Sequence, residues 1–169
     1  MSTAPAPGFV VRAAGANDAE SISTVWYAGW REAHLGHVPE ALVAHRSPQH
    51  FRERIPEILD ATTVATVDGH VAGLVVAVED EIEQLYVADR HRGTGIATAL
   101  LHHGERVIGA RFSTAFLAVV ASNARARRFY EREGWHDTGP FDYRPWTPGG
   151  DRIEVPCRRY EKAVADPGS

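Results

Sequence analysis

The sequence predicts one α/β domain of the mixed (α+β) kind, with helices around a largely antiparallel sheet that contains a parallel crossover. Three observations predict it. Residues 61–67 (ATTVATV) and 70–78 (HVAGLVVAV) are rich in β-branched side chains and are joined by Asp68-Gly69, a dipeptide that favours a tight hairpin. Residues 85–101 (LYVADRHRGTGIATALL) run from a strand-like stretch through a basic, glycine-spaced loop into a helix-forming stretch. After that loop, strand and helix patterns alternate, as a crossover requires.

In chain order, an Ala/Pro-rich start is expected to be a disordered tail over residues 1–8, followed by a short strand around Phe9 to Ala13. Asn17 with Glu20 three residues later has the form of a capping box and opens a helix that runs to about Ala33. Pro39 and Ser47-Pro48 mark further helix starts, since proline in the first turn forgoes only an N–H that has no helical partner; residues 39–59 read as one or two helices. The hairpin follows, and Glu79-Asp80 turns the chain into a strand over 81–87 (EIEQLYV). A helix from about 94 to 109 carries Ile96, Leu100, His103 and Val107 on one face. A strand near 113–120, a helix over 123–133 and strands near 135–139 and 152–161 complete a single domain over 9–162, with a C-terminal tail at 163–169.

A chain of 169 residues is long enough to bury a sizeable core without metals or disulfides. With 44% apolar and 24% charged residues it has the composition of a soluble domain, and its apolar runs fall short of a bilayer span. The start MSTAPAPG lacks the features of a signal peptide, and the single Cys157 allows no internal disulfide and suits a reducing compartment, so a cytoplasmic location is expected. The formal charge of -4 argues against nucleic acid as a partner, although Arg90 to Arg92 and Arg125 to Arg132 are locally basic. Any polyanionic ligand is therefore small. Nine histidines include His34 with His37 and the pair His102-His103, but no cysteine or carboxylate cluster completes a standard site, and no metal is expected.

The loop ADRHRGTG between the 81–87 strand and the following helix presents free amides at the positive end of a helix dipole, which favours a phosphate or diphosphate. Gly93 and Gly95 let the backbone approach oxygen atoms closely, and Arg90, His91 and Arg92 add positive charge. An ordinary strand-to-helix turn also uses such glycines. The P-loop does not fit, because Ile96 follows Gly95, and the dinucleotide fingerprint fails at Thr98. The stretch resembles the acyl-CoA-binding motif of the GNAT superfamily of N-acyltransferases, Arg/Gln-x-x-Gly-x-Gly/Ala, at Arg90, Gly93 and Gly95. EIEQLYV resembles that family's fourth strand, and NARARRFYEREGW (123–135) its second CoA-contacting segment.

The resemblance implies a sheet of about seven strands whose fourth and fifth strands splay apart to admit the pantetheine arm, with acetyl-CoA as co-substrate. Cofactor contacts would then come from the main chain of Leu85, Tyr86 and Val87, from the loop and helix start at Arg90, His91, Arg92, Gly93, Thr94, Gly95, Ile96 and Ala97, and from Asn123, Arg127 and Phe129. An amine nucleophile must lose a proton, because an alkyl ammonium has a pKa of about 10.4. The two-residue period of the strand places Glu81 and Glu83 on one face with Leu85 and Val87, so either carboxylate, or a water between, is a candidate base; both also suit a solvated sheet face. Tyr130 is the candidate acid for the departing thiolate by its match to the family pattern, while Asn123, Tyr130 and Gly134 equally suit an N-cap, a core residue and a C-cap.

Trp26, Trp30 and His34 recur at helical spacing, a core pattern, and the same segment resembles the family's acceptor wall. The aromatic loop FDYRPWTPGG (141–150) suits closure over an acceptor or a contact between two copies in a homodimer. Cys157 has no activating partner in the sequence, which disfavours an acyl-cysteine route. The expected activity is N-acetylation of a small-molecule primary amine in a ternary complex. The alternatives are acetylation of a protein N terminus or lysine, and a non-catalytic acyl-CoA sensor.

Overall fold

A computed structural model describes residues 8–165; positions 1–7 of the expected tail over residues 1–8, and positions 166–169 of the C-terminal tail, lie outside the described residues. The described chain forms strands β1 (Val10–Ala13), β2 (Thr62–Val67), β3 (His70–Val78), β4 (Glu81–Val87), β5 (Thr114–Val120), β6 (His136–Tyr143) and β7 (Val155–Ala163). Helices α1 (Ala19–His34), α2 (Glu40–Val43), α3 (Pro48–Ile58), α4 (Ile96–Gly109) and α5 (Ala124–Arg132) complete it. The strands form one sheet in the order β1-β2-β3-β4-β5-β7-β6, antiparallel throughout except for β4 beside β5. Pro140 is tolerated because β6 is an edge strand with only β7 as neighbour.

The β2–β3 hairpin turns through Asp68 and Gly69, both at positive φ (50° and 81°), which gives the twist a two-residue hairpin needs. Alternation along β3 sends Leu74 and Val76 to one face, against Ile22, Trp26 and Trp30 of α1 and Phe51 and Ile55 of α3. Val75 goes to the other, against Leu100, Leu101 and Ile108 of α4. The sheet thus carries a core on each face.

Several local expectations change. The α1 start is not capped by Asn17 and Glu20. A short 3-10 turn precedes the helix, and the Asp18 carboxylate accepts from the Gly15 N–H (2.8 Å) while Arg12 donates to both its oxygens (2.7 and 2.9 Å). A charged partner on β1 outcompetes the local box. On α4 the buried stripe is Ile96, Leu100, Leu101, Gly104 and Ile108, whereas Val107 is half exposed. Gly104 is what lets the helix settle on β4, since a Cβ there would stand 2.6 Å from Ile82 Cδ1. The last strand runs past the expected boundary at residue 162, and the Val164 and Ala165 amides donate to the Ser113 carbonyl.

The Arg12 pair holds the Asp18 carboxyl down to about 2, chiefly through its hydrogen bonds. That stabilisation is complete above the unfolded carboxyl's pKa of about 3.9 and is lost as pH falls through the folded value. Asp18→Asn is expected to lower stability at pH 7 by about 1–2 kcal/mol, with Arg12 partly exposed and the pair partly screened. Thermal melts should show the gap from wild type closing as pH falls from about 4 towards 2.

Candidate active site

Strands β4 and β5 share a single register pair, Glu81 with Phe116, and the Phe116 amide donates to the Asp80 carbonyl (2.9 Å). Beyond that pair they diverge. Ala88 N–H points to β3, donating to the Ala72 carbonyl (2.8 Å), and successive amides alternate in direction. The amides of Leu85 and Val87 therefore face the gap, as the sequence led us to expect, and that of Tyr86 faces β3. The Tyr86 side chain instead lies over Gly29 of α1, where a Cβ would stand 2.5 Å from its ring.

At the end of β4 the chain makes a 3-10 turn over Asp89–His91 and enters α4 through Gly93 and Gly95, at φ of 75° and 87°. A Cβ added at either glycine would meet nothing within 4 Å, so the space above the loop is open. The N–H groups of residues 93–98 have no acceptor among the described residues. Ile96 buries its side chain beneath the loop, Ala97 follows it in the first turn of α4, and the Thr94 hydroxyl donates to the His91 carbonyl (2.5 Å). The loop is an anion cradle built from main chain. Its basic side chains are less free than expected: Arg90 Nε donates to His91 Nε2 (3.2 Å), while Arg92 forks onto Glu32 of α1 and pairs with Asp89 (2.9 Å). Arg125 of α5 approaches the same Glu32 (3.4 Å). Glu32 thus ties the loop to α1 and α5, a role no local motif announces.

The two carboxylates of β4 do not share a face with Leu85 and Val87. Val76 pairs with Gln84 and the next β3 residue, Ala77, with Ile82, so Glu83 is the extra residue of a β-bulge. The bulge reverses the alternation. Leu85 and Val87 pack on the α4 side, while Glu83 pairs with Arg54 of α3 on the other (3.3 Å). Glu81 accepts a hydrogen bond from Tyr143 Oη (2.6 Å). Burial raises the Glu81 carboxyl above the usual carboxylate range, and the Tyr143 bond offsets part of that rise. Of the two, Glu81 has the environment of a base poised for proton transfer, whereas Glu83 is held by a cation. Tyr143 had been assigned to the aromatic loop, but residues 141–143 continue β6, which carries the phenol to Glu81.

Helix α5 is capped at one end by Asn123, which accepts from the Ala126 amide (3.2 Å), and closed at the other by Gly134 at φ 87°, with the Trp135 amide on the Tyr130 carbonyl (3.0 Å). The capping reading of both residues holds, and Asn123 lines the site as well. Tyr130 is half-buried, lines the same cavity, and its hydroxyl has no partner among the described residues. Burial pushes the phenol up, so it keeps its proton at neutral pH. Phe129 packs edge-on to Tyr130 in the α4-side core. Arg127 is committed elsewhere, to Tyr160 Oη (3.1 Å), the Ala121 carbonyl (3.0 Å) and Asp137 (3.2 Å).

One cavity of about 420 Å³ lies beside β4 and is lined by Glu81, Leu85, Asn123, Tyr130 and Tyr143 among others. It begins between the diverging strands at Leu85, Leu117 and Val119 and ends among Trp30 and His34 of α1, Arg46, Arg54 of α3, and Trp146. Trp26 and Trp30 are both core and wall. Segment 144–151 folds back over this end, because Arg46 Nη2 donates to the Trp146 carbonyl (2.6 Å) and His45 pairs with Asp151 (3.3 Å). Cys157 is buried in β7 with its thiol pushed up to about 11 by desolvation, the opposite of an activated nucleophile. Among the described residues no group of three metal-ligating side chains occurs, and no helix is long and apolar enough to cross a membrane.

A splayed β4–β5 junction followed by a glycine cradle defines a class of acyl-transferring domain. Residues 26–148 match the acetyltransferase (GNAT) domain family, and the chain belongs to that family of acyltransferase enzymes. An uncharacterized N-acetyltransferase of Mycobacterium tuberculosis is 27% identical over 117 residues, 64% of this chain and 73% of that protein. A GCN5-related N-acetyltransferase from Rhodopseudomonas palustris superposes with a TM-score of 0.72 at 19% identity, covering 97% of this chain and 99% of that one. PaiA N-acetyltransferase from Thermoplasma acidophilum, solved with coenzyme A, has a TM-score of 0.63 at 18% identity, covering 92% and 98%.

The Glu81 environment makes a prediction independent of turnover. Carbon-detected NMR titration should find the Glu81 carboxyl above the usual value of about 4.3. In Tyr143→Phe it should titrate higher still, since the lost hydrogen bond favoured the ionised form.

Proposed function

We propose that the protein is an acetyl-CoA-dependent N-acetyltransferase that acts on a small primary amine by direct attack in a ternary complex. The observation that carries this reading is the succession of free main-chain amides along β4 and its exit loop, on the gap side of the strand and at residues 93–98, together with the cavity that Glu81, Leu85 and Tyr130 line. The CoA-bound Thermoplasma relative of the same fold supports it.

In this reading the cradle amides hold the CoA diphosphate and the Leu85 and Val87 amides bond to the pantetheine as to an added strand. That aligns the thioester with the gap and leaves the cavity beyond it for the acceptor. The amine enters as an ammonium, and Glu81 takes a proton from it, directly or through one water. The freed nitrogen pair attacks the thioester carbonyl carbon, the C–S bond breaks with its electrons going to sulfur, Tyr130 donates a proton to that sulfur, and the second proton shed by the acetylated nitrogen passes through solvent to restore the phenol. The products are the acetamide and CoA thiol. Glu83, paired with Arg54, lines the approach of the incoming cation. A small acceptor is favoured over a protein chain by segment 144–151, bonded to Arg46 and His45, which closes the groove a peptide would need.

Release of free thiol from acetyl-CoA across a panel of amines and peptides tests the reading. Small amines should turn over and peptides should not; CoA binding with no release on any acceptor would overturn it. Glu81→Gln and Tyr130→Phe are each expected to lower kcat by about 10²-fold with CoA affinity unchanged. The acid limb of the wild-type kcat/KM profile should lie above the normal carboxylate range and vanish in Glu81→Gln. Gly93→Val, forced into a left-handed conformation within the cradle, should weaken CoA binding by at least about 10-fold by calorimetry.

A further inference from the structure

The far end of the cavity holds a cation with no counter-ion. Arg46 is nine-tenths buried, at 9% relative exposure, and no carboxylate lies within 4.0 Å of it among the described residues. Its Nη1 donates to the His45 carbonyl (3.1 Å) and its Nη2 to the Trp146 carbonyl (2.6 Å). The other N–H groups of the fork have no acceptor. The guanidinium lies 5.6 Å from the Trp30 ring and 5.8 Å from the Trp146 ring, and all three residues line the cavity.

Every other charge around this end has a partner or is neutral. Arg54, which also meets the Trp146 ring (5.2 Å), pairs with Glu57 and Glu83, and Arg144 pairs with Glu154. His45 pairs with Asp151, and His50 bonds to Ser47. His34 stacks on Trp30 and donates from Nδ1 to the Trp30 carbonyl; desolvation, with Arg46 and His37 adding to it, pulls its pKa down to about 4, so it is uncharged at neutral pH. Burial lowers even the Arg46 guanidinium, to about 10, which leaves it protonated at pH 7.

A buried, unpaired ion carries a desolvation cost of several kcal/mol, which two carbonyl bonds and two aromatic faces offset only in part. An anion seated on the free edge of the fork would remove the remainder. The fork geometry matches a carboxylate, a planar anion. Polycationic amines would meet repulsion here. Glu81 lines the same cavity.

Resting on the acetyltransfer reading above, we infer that the acceptor is an amino carboxylic acid: Arg46 binds its carboxylate, and its amine is presented to Glu81 at the thioester. This separates free amino acids from protein amines, since a peptide N terminus and a lysine side chain carry no carboxylate at that position.

The test uses matched pairs, each an amino acid and its carboxamide, with thiol release as one readout. Tryptophan fluorescence in the presence of CoA is the other, titrated with the N-acetylated acid and its carboxamide and reporting on Trp30 and Trp146. Wild type should favour the acids by at least about 10-fold in kcat/KM, as expected for loss of a charge-assisted fork. Arg46→Gln should bring the ratio near one while retaining turnover of carboxamides, and Arg46→Lys should keep part of the preference. A wild-type enzyme that treats the pairs alike overturns the inference. So does an Arg46→Gln enzyme, folded by circular dichroism and melting, that loses both members of each pair equally, because that marks Arg46 as a strut for the 144–151 segment alone. If no pair turns over, acetyltransfer to small amines fails, yet acid-selective quenching lost in Arg46→Gln still upholds the carboxylate site. Quenching without acid selectivity sinks it.

Discussion

The parting of β4 from β5 after one register pair is the constraint on which the rest of the structure depends. Two strands that stayed paired along their length would satisfy every amide on β4 and leave no slot, no cavity and no approach to the glycine loop. Because they separate after Glu81 and Phe116, the Leu85 and Val87 amides remain available in the middle of a sheet, where unpaired main chain is costly. The cost is accepted where another hydrogen-bonding chain is to be placed. Antiparallel pairing of β4 with β3 on one side and of β5 with β7 on the other holds the two halves rigid while the wedge stays open.

The same wedge sorts the chemistry by depth. At its mouth, main-chain dipoles and two glycines at positive φ suit an anion that needs no specific side chain. Further in, Glu81 and Tyr130 are both desolvated, which raises the carboxyl above the usual carboxylate range and keeps the phenol protonated, as the proposed base and acid require. At its far end, α1, the α2–α3 connection and segment 144–151 make a wall of indoles and guanidiniums. Glu32 joins the mouth to α1 through Arg92, so the loop and the acceptor wall are supported by one helix.

Much of the order of elements was legible because it rests on local signals. The Asp68-Gly69 hairpin, the Ser47-Pro48 helix start and the glycine-framed entry to α4 are written in adjacent residues, and the structure places them as expected. What was not legible depends on residues distant in sequence. The β-bulge at Glu83 comes from the register between β3 and β4, so a strict period of two put both carboxylates on the wrong face. Tyr143, the last residue of β6, meets Glu81 of β4 although the two strands are not neighbours in the sheet, and a loop reading of its turn-rich segment hides that. Arg127 is a cofactor contact by resemblance, but Asp137 and Tyr160 from β6 and β7 hold its side chain. Arg46 drew no notice, as one arginine between two helix starts carries no pattern.

The claim that main-chain amides hold the acyl donor is tested most directly by backbone amide exchange with and without CoA, read residue by residue by NMR. Leu85, Val87 and the amides of residues 93–98 should exchange readily in the free protein and become protected on saturation, while Tyr86 and Ala88, already bonded to β3, should change little. Protection confined to side-chain contacts, with those amides exchanging as before in the CoA-saturated protein, would contradict the account.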